Sequence, residues 1–380
     1  MVRLLAIISF ILLFYFSLPV IDKQLENTDI QQTVDSVQSE LNVKDNPEVM
    51  ATLNSFYEKV QQLMKQLGVQ LEELPLPKQN TQPTEKEKVK LTAPTEQVFS
   101  INNIELGNAK EDIDHNLGKA NRSSLNEYGT NWHAYHKDYH NFFMVMYDTN
   151  NQAAGLYTNQ DLLTSTNGIK IGSSSKESVR SILGEPITKV QKGMVIYQLQ
   201  EDSDNDLFLL DDAYVTIFYD KHENNTVTAI QIISKSMEDN KKDFYTEATS
   251  TLKEGFEYQM FDLTNATRVN HQLPILTWDD HLRETAREHS ADMAANDYFD
   301  HKNLQGQSTF DRMKEDAVAF HTAGENLAYG QLSSIFAHEG LMNSLGHREN
   351  ILRQDYEYLG VGVAFNEKSQ PYYTQNYYAN

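Results

Sequence analysis

The chain has no cysteine among its 380 residues. That absence excludes disulfides, zinc ribbons, thiol nucleophiles and a lipid-modified cysteine. It also suits a secreted bacterial protein that does without disulfides. Positive charge is scarce: 32 Lys and Arg stand against 54 Asp and Glu, a formal net charge of −22. Such a chain repels nucleic acid and anionic headgroups, which sets polyanion binding aside. Several catalytic signatures are missing as well. "HEGLM" (338–342) lacks the second histidine of H-E-x-x-H, and no G-x-S-x-G elbow occurs. "DSDNDLFLLDDA" (202–213) spaces Asp202, Asp204 and Asp206 like a calcium loop. Leu207 and Ala213 stand where that loop needs Gly and Glu, so it reads as a solvated acidic loop.

A second long apolar run is also missing. The one that exists, "LLAIISFILLFYFSLPV" (4–20), is 17 residues without a charge and follows Arg3. Its length is at the short end for a membrane span, and the preceding charge keeps the start inside. No A-x-A-like cleavage pattern follows it, so residues 1–22 read as an uncleaved anchor, with a cleaved signal as the alternative. Residues 23–68 read as a helical stalk. Ile30, Val34, Val37 and Leu41 precede a break at Asn46-Pro47; then Met50, Leu53, Tyr57, Val60, Met64 and Leu67 alternate steps of three and four up to Gly68. A seam this short implies weak self-association at best. Residues 69–97 carry four prolines and many charges, the composition of an extended linker.

An internal repeat occupies 98–238. "IELGNAKEDIDHNLGKA" (104–120) matches "IKIGSSSKESVRSILGEP" (169–186), pairing Gly107 with Gly172, Ile113 with Val179, Leu117 with Leu183 and Gly118 with Gly184. Each copy predicts a strand, a turn and a short helix stopped by glycine, then strands at "NFFMVMYD" (141–148) and "AYVTIFYD" (213–220). Two such units predict an α+β domain built by duplication.

The character changes again over 245–380. Helices are expected over "EYQMFDLTNATRVNHQ", over the stretch capped by Asp279 or Asp280, and over "SSIFAHEGLMNSLG", stopped by Gly346 with His347 just after. His321 and His338 read as loop and helix-surface residues. "YLGVGVAF" and "PYYTQNYY" read as two strands joined at "NEKSQP".

"YFDHKN", "GENLAYG", "NSLGHRENIL" and "YLGVGVAF", in that order after "R-x-N-x-x-L-P-x-L-x-W" (268–278), resemble the CAP superfamily (SCP-like; cysteine-rich secretory, antigen 5 and pathogenesis-related-1 domains). The whole layout is similar to bacterial membrane-anchored members with a CAP-associated repeat domain. The resemblance implies an α-β-α sandwich with a cleft in which His301, His347 and Glu325 match the family's histidines and glutamate. The second family acid falls on Ser344, leaving Glu339 as the nearest carboxylate. Two imidazoles suit a divalent metal such as zinc, with Glu325 as third ligand or as the acceptor that orients a ring. The function implied is an extracellular binding protein for a lipid, a wall fragment or a protein; the alternative is a metal-assisted hydrolase at the cell envelope. A purely structural role for the histidines remains the third reading.

With one apolar segment at the start, residues 23–380 should lie outside the cell. Protease added to intact cells is expected to release them, and protection of the C-terminal domain would refute this topology.

Overall fold

The computed structural model describes residues 89–192, 195–199 and 203–380. They lie in one compact unit spanning Thr84–Asn380. The anchor, the stalk, most of the linker and Asp202 are outside the described residues. The linker's end is pinned: Thr92 donates its backbone N–H to Asn103, and Thr95, Glu96 and Gln97 donate theirs to Glu105.

The N-terminal domain begins with β1 (Phe99–Ile101), α1 (Lys110–Leu117), β2 (Arg122–Leu125), β3 (Asn131–Lys137), β4 (His140–Tyr147), β5 (Ala153–Thr158) and β6 (Leu163–Ser165). It continues with α2 (Lys176–Leu183), β7 (Lys189–Lys192), β8 (Val195–Gln198), β9 (Asn205–Leu210), β10 (Ala213–Asp220), β11 (Thr226–Ser234) and α3 (Lys235–Asn240). The duplication is visible in a seven-stranded sheet ordered β2-β3-β4-β5-β11-β10-β9, where the two copies meet at the antiparallel pair β5–β11. The repeated helices are α1 and α2, each ended by a glycine with φ near +80°, Gly118 and Gly184. The strands expected at 104–107 and 169–172 are absent. Ile104 makes only an isolated bridge, and the segments turn at Gly107 and Gly172, both with positive φ.

Strand β4 shows why its run is apolar without alternation. Phe143, Val145 and Tyr147 face the domain's own core with Ile113 and Val179. Phe142, Met144 and Met146 face the second domain's core. With a side-chain period of two, a strand covered on both faces must be apolar at every position.

The C-terminal domain comprises α4 (Ser250–Asn270), β12 (Thr277–Trp278), α5 (Asp280–Asn296), α6 (Thr309–Glu315), β13 (Thr322–Tyr329), α7 (Ser334–Met342), α8 (Leu345–Ile351), β14 (Tyr358–Phe365) and β15 (Pro371–Ala379). Its sheet runs β12-β14-β15-β13, with β12 parallel to β14 and the other pairs antiparallel. The "LGVGV" pattern on β14 divides the layers. A Cβ on Gly360 or Gly362 would meet the α5 backbone at 2.5 Å and 2.1 Å, so these glycines let α5 lie against the sheet. Leu359, Val361 and Val363 point to the other face and pack in the core that contains α4. The chain is therefore α+β, with an α-β-α sandwich behind the duplicated domain.

Helix α4 is buried on nearly every side. It packs on β14 and α7 within its own domain and on β2 and β4 of the other. One core cluster joins Trp132, Met146, Tyr157 and Phe218 to Phe256, Met260, Leu263 and Val361. Polar links cross the same seam: Arg122 and Tyr139 to Asp262, each at 2.9 Å, and Arg348 to Asp220 at 2.8 Å.

Three local expectations change. Gly346 is no helix stop: α7 ends at Met342, Ser344 is the N-cap of α8, and Gly346 and His347 sit inside α8. Asp206 is not solvated: it is buried on β9, and Arg180 forks onto it at 2.9 and 2.7 Å. His338 is not on the surface: it is fully buried with Nε2 2.7 Å from the Thr267 hydroxyl, and burial pushes its pKa down to about 3.

A Cβ on Gly255 would lie 2.0 Å from the Leu125 carbonyl oxygen of β2. Gly255→Ala should therefore destabilise both domains together by about 1–3 kcal/mol. Gly346, with nothing within 4 Å, should tolerate Ala without loss. Urea unfolding followed by far-UV dichroism checks both, and two separate transitions would contradict the shared core.

Candidate functional site

Four elements bring the site together. His301 lies in the turn after α5. Arg312 on α6 donates to the His301 carbonyl at 2.9 Å, which fixes that turn. Strand β13 carries Glu325, and α8 carries His347. His301 Nδ1 donates to Glu325 Oε1 at 2.9 Å, and Arg312 donates to Oε2 at 2.6 Å. Both oxygens of this buried carboxylate are thus engaged. His347 Nδ1 shares a hydrogen bond with the Ser344 hydroxyl at 2.9 Å. The two histidines are electrostatic neighbours, since charge on His301 bears on His347.

The adjacent motif residues lock this arrangement. Asn326 donates to the His347 carbonyl at 3.0 Å. Asn350 donates to Asn326 Oδ1 at 2.9 Å and to the Glu325 carbonyl at 3.2 Å. The "GEN" and "GHREN" segments are therefore tied by their own asparagines. Tyr356 completes the network at 3.3 Å from Asn350. Arg268, the first residue of the upstream motif, is wholly buried. It donates to the carbonyls of Pro274, Ile351 and Arg353 at 2.8, 2.9 and 2.8 Å, closing the end of α8 onto α4.

The electrostatics follow from these contacts. The Glu325 hydrogen bond raises the His301 pKa above the ordinary histidine value, against the opposing effect of burial. Burial, then the nearby His301, lowers that of His347. Burial pushes the Glu325 pKa up, but the His301 bond and the Arg312 charge outweigh it, and the net shift is downward.

Glu339 does not join the site. Its carboxylate accepts from the Tyr157 hydroxyl of the N-terminal domain at 2.8 Å. The charges that bear on it are Asp220 and Arg348, and burial lifts its pKa to about 7. It belongs to the seam between the domains. The position where the family acid was expected, Ser344, instead holds the His347 ring. Arg312, Ser344, Asn326 and Asn350 were missed from sequence as site residues; Ser344 and both asparagines lay inside the motif segments, whereas nothing marked Arg312.

The residues fit a two-imidazole metal site in part. Each ring is held through Nδ1, which leaves Nε2 to face a ligand, and a carboxylate behind one ring is the usual outer partner of a metal-bound histidine. Glu325 is unsuited as a third ligand because its oxygens are committed to His301 and Arg312. Among the described residues no group of three or more acidic or histidine side chains is placed to hold a metal.

A three-layer sandwich with two histidines held by a buried Glu–Arg pair and a serine defines a CAP-type domain. Residues 261–377 match the cysteine-rich secretory protein family, and residues 106–244 match the CAP-associated N-terminal domain. The chain thus carries a CAP domain with a CAP-associated repeat domain ahead of it. It is 29% identical over 290 residues to the uncharacterized membrane protein YlbC of Bacillus subtilis, covering 72% of this chain and 82% of that one. It is 40% identical over 117 residues to the uncharacterized protein YkwD of Bacillus subtilis, covering 31% of this chain and 45% of that one. An extracellular SCP-domain protein of Bacillus anthracis shares the fold, with a TM-score of 0.62 at 24% identity over 72% of this chain and 94% of that chain.

Arg312→Met leaves the buried Glu325 carboxylate without its cation. The expected loss is about 3 kcal/mol near neutral pH, the lower end for breaking a buried pair. The depressed Glu325 pKa gives stability that is present above the unfolded carboxylate value and lost as pH falls through the folded one. The penalty of the variant should therefore shrink in acid. Urea unfolding of parent and variant at neutral and acid pH measures it.

Proposed function

We propose that the chain is a membrane-anchored extracellular protein that binds its ligand at the His301–His347 cleft, with a divalent metal such as zinc held by the two Nε2 atoms. The observation that carries this reading is the way each ring is fixed through Nδ1, one by Glu325 and one by Ser344. A bound metal would act as a Lewis acid toward an anionic or carbonyl oxygen of the ligand. Phe299, Leu304 and Leu345, in the two segments that carry the histidines, are 49%, 60% and 58% exposed. They favour a ligand with an apolar part, as in a lipid or an acylated wall fragment. Binding is favoured over hydrolysis because Glu325, tied to Arg312 and with a lowered pKa, is a poor general base. The membrane protein YlbC and the extracellular Bacillus anthracis protein, as relatives, support a membrane-anchored, extracellular placement. The apolar segment 4–20 supplies the anchor; among the described residues no helix is long and apolar enough to cross a membrane.

Calorimetry with zinc tests the site in the full chain. His301→Ala and His347→Ala should each abolish binding, Glu325→Gln should weaken it less, and His338→Ala should leave it intact if the protein folds. Ligation needs neutral rings, and the His301 pKa lies above the ordinary value of about 6.5, so affinity should fall as pH drops through a value above 6.5. Absence of zinc binding near neutral pH, with stability lost in both histidine variants, would make the pair structural.

A further inference from the structure

A second cavity, of about 730 Å³, lies between the repeat domain and the CAP domain. Its size is that of a small-molecule pocket, and domain junctions are common places for one. Its walls are the β7–β8 hairpin, the adjoining face of β9, β10 and β11, the segment after α3, and the turn between β13 and α7. None of His301, Arg312, Glu325 and His347 lines it.

Four of the five charged side chains along the walls are already engaged by neighbouring groups; the fifth, Glu185, is exposed. Arg180 forks onto Asp206, which also accepts from the Tyr219 hydroxyl at 3.0 Å. Glu238 accepts from the Tyr128 hydroxyl at 2.7 Å, and the Lys241 ammonium lies 5.5 Å from the Tyr128 ring centroid. A charged ligand would have to compete with these pairings, which favours an uncharged one.

Rings and amides provide the rest of the recognition surface. Tyr197 stacks on Phe244 with centroids 5.6 Å apart, and Phe244 meets Tyr245 edge-on at 4.9 Å, so a continuous aromatic strip runs from the hairpin to the connecting segment. Gln198, Gln231 and Gln331 also line the cavity. Gln231, on the inner strand β11, is 2% exposed, and its Nε2 has no hydrogen-bond partner among the described residues. A buried amide without a partner is costly unless something else accepts its hydrogen. Flat rings with side-chain amides complement a neutral sugar chain: its C–H faces lie on the rings, and its hydroxyls donate to and accept from the amides. A peptide strand would instead add to a free sheet edge. The outer edge of β9 is already engaged at Leu207, whose carbonyl accepts from the Ile187 N–H at 2.8 Å.

We propose that this interdomain cavity binds an uncharged oligosaccharide, with Gln231 as the hydrogen-bonding anchor and Tyr197, Phe244 and Tyr245 as the stacking platform. The site is independent of the histidine cleft and draws on both domains, so an occupant would also brace the seam between them.

Titration calorimetry of the full chain with two uncharged tetrasaccharides, chitotetraose and cellotetraose, tests the assignment. At least one should bind with a Kd of about 1 mM or tighter. Gln231→Leu and Tyr197→Ala should each weaken binding tenfold or more while leaving zinc binding unchanged. Phe244→Ala, on the partly exposed strip, gives a second reading if the buried Gln231 change impairs folding. The proposal is overturned if neither sugar binds, if binding ignores all three substitutions, or if an uncharged tetrapeptide binds in the sugars' place.

Discussion

Helix α4 is the constraint on which the rest of the structure depends. A helix on the surface of a single domain buries one stripe. This one is buried from Leu252 to Val269 on nearly every side, because one sheet lies against it from each domain. The close approach at Gly255 sets the distance to β2, and Phe256, Met260 and Leu263 fill a core that neither domain completes alone. Connected domains ordinarily move relative to one another unless their interface is large and apolar. Here one apolar cluster and several buried polar links join them, and the CAP domain is built on a partner rather than tethered to it.

The seam reaches the histidine site. Arg348, next to His347 on α8, pairs with Asp220 of the repeat domain, and Asn343, just ahead of α8, donates to the Tyr219 carbonyl at 2.8 Å. The helix that presents His347 is therefore seated partly by the other domain. Among the described residues, the same seam contains carboxylates with no counter-charge in contact. Glu339 there has a tyrosine hydroxyl as its one hydrogen-bond partner, and burial raises it and Glu127 to about 7. Stability from groups raised in this way is full in acid and is lost as pH rises through the folded value.

Within the site, β13 divides the work between neighbours. Successive side chains on a strand point to opposite faces. Glu325 turns toward His301 and Arg312, while Asn326 turns toward α8 and holds the His347 carbonyl. Asn350 returns from α8 to both residues. A glutamate and an asparagine in sequence thus hold one histidine by its ring and the other by its backbone, which is the physical content of two short motifs that lie some twenty residues apart.

What the sequence by itself determined was local or carried by motif. The glycine stops of α1 and α2, the duplication, the Asp279 cap of α5 and the order of the four CAP segments could all be read along the chain, because each is written in local residues or in recurring short patterns. The meeting of His301, Glu325 and His347 was inferred through the family motifs. Only the tertiary structure decided that Gly346 lies within a helix, that Asp206 and His338 are buried, and that Glu339 faces Tyr157. It also supplied Arg312 and Ser344 as partners. A carboxylate or an imidazole looks the same in sequence whether it faces water, a metal or another domain. Its surroundings come from elements as far away as Tyr157 is from Glu339, and neither periodicity nor spacing carries that distance.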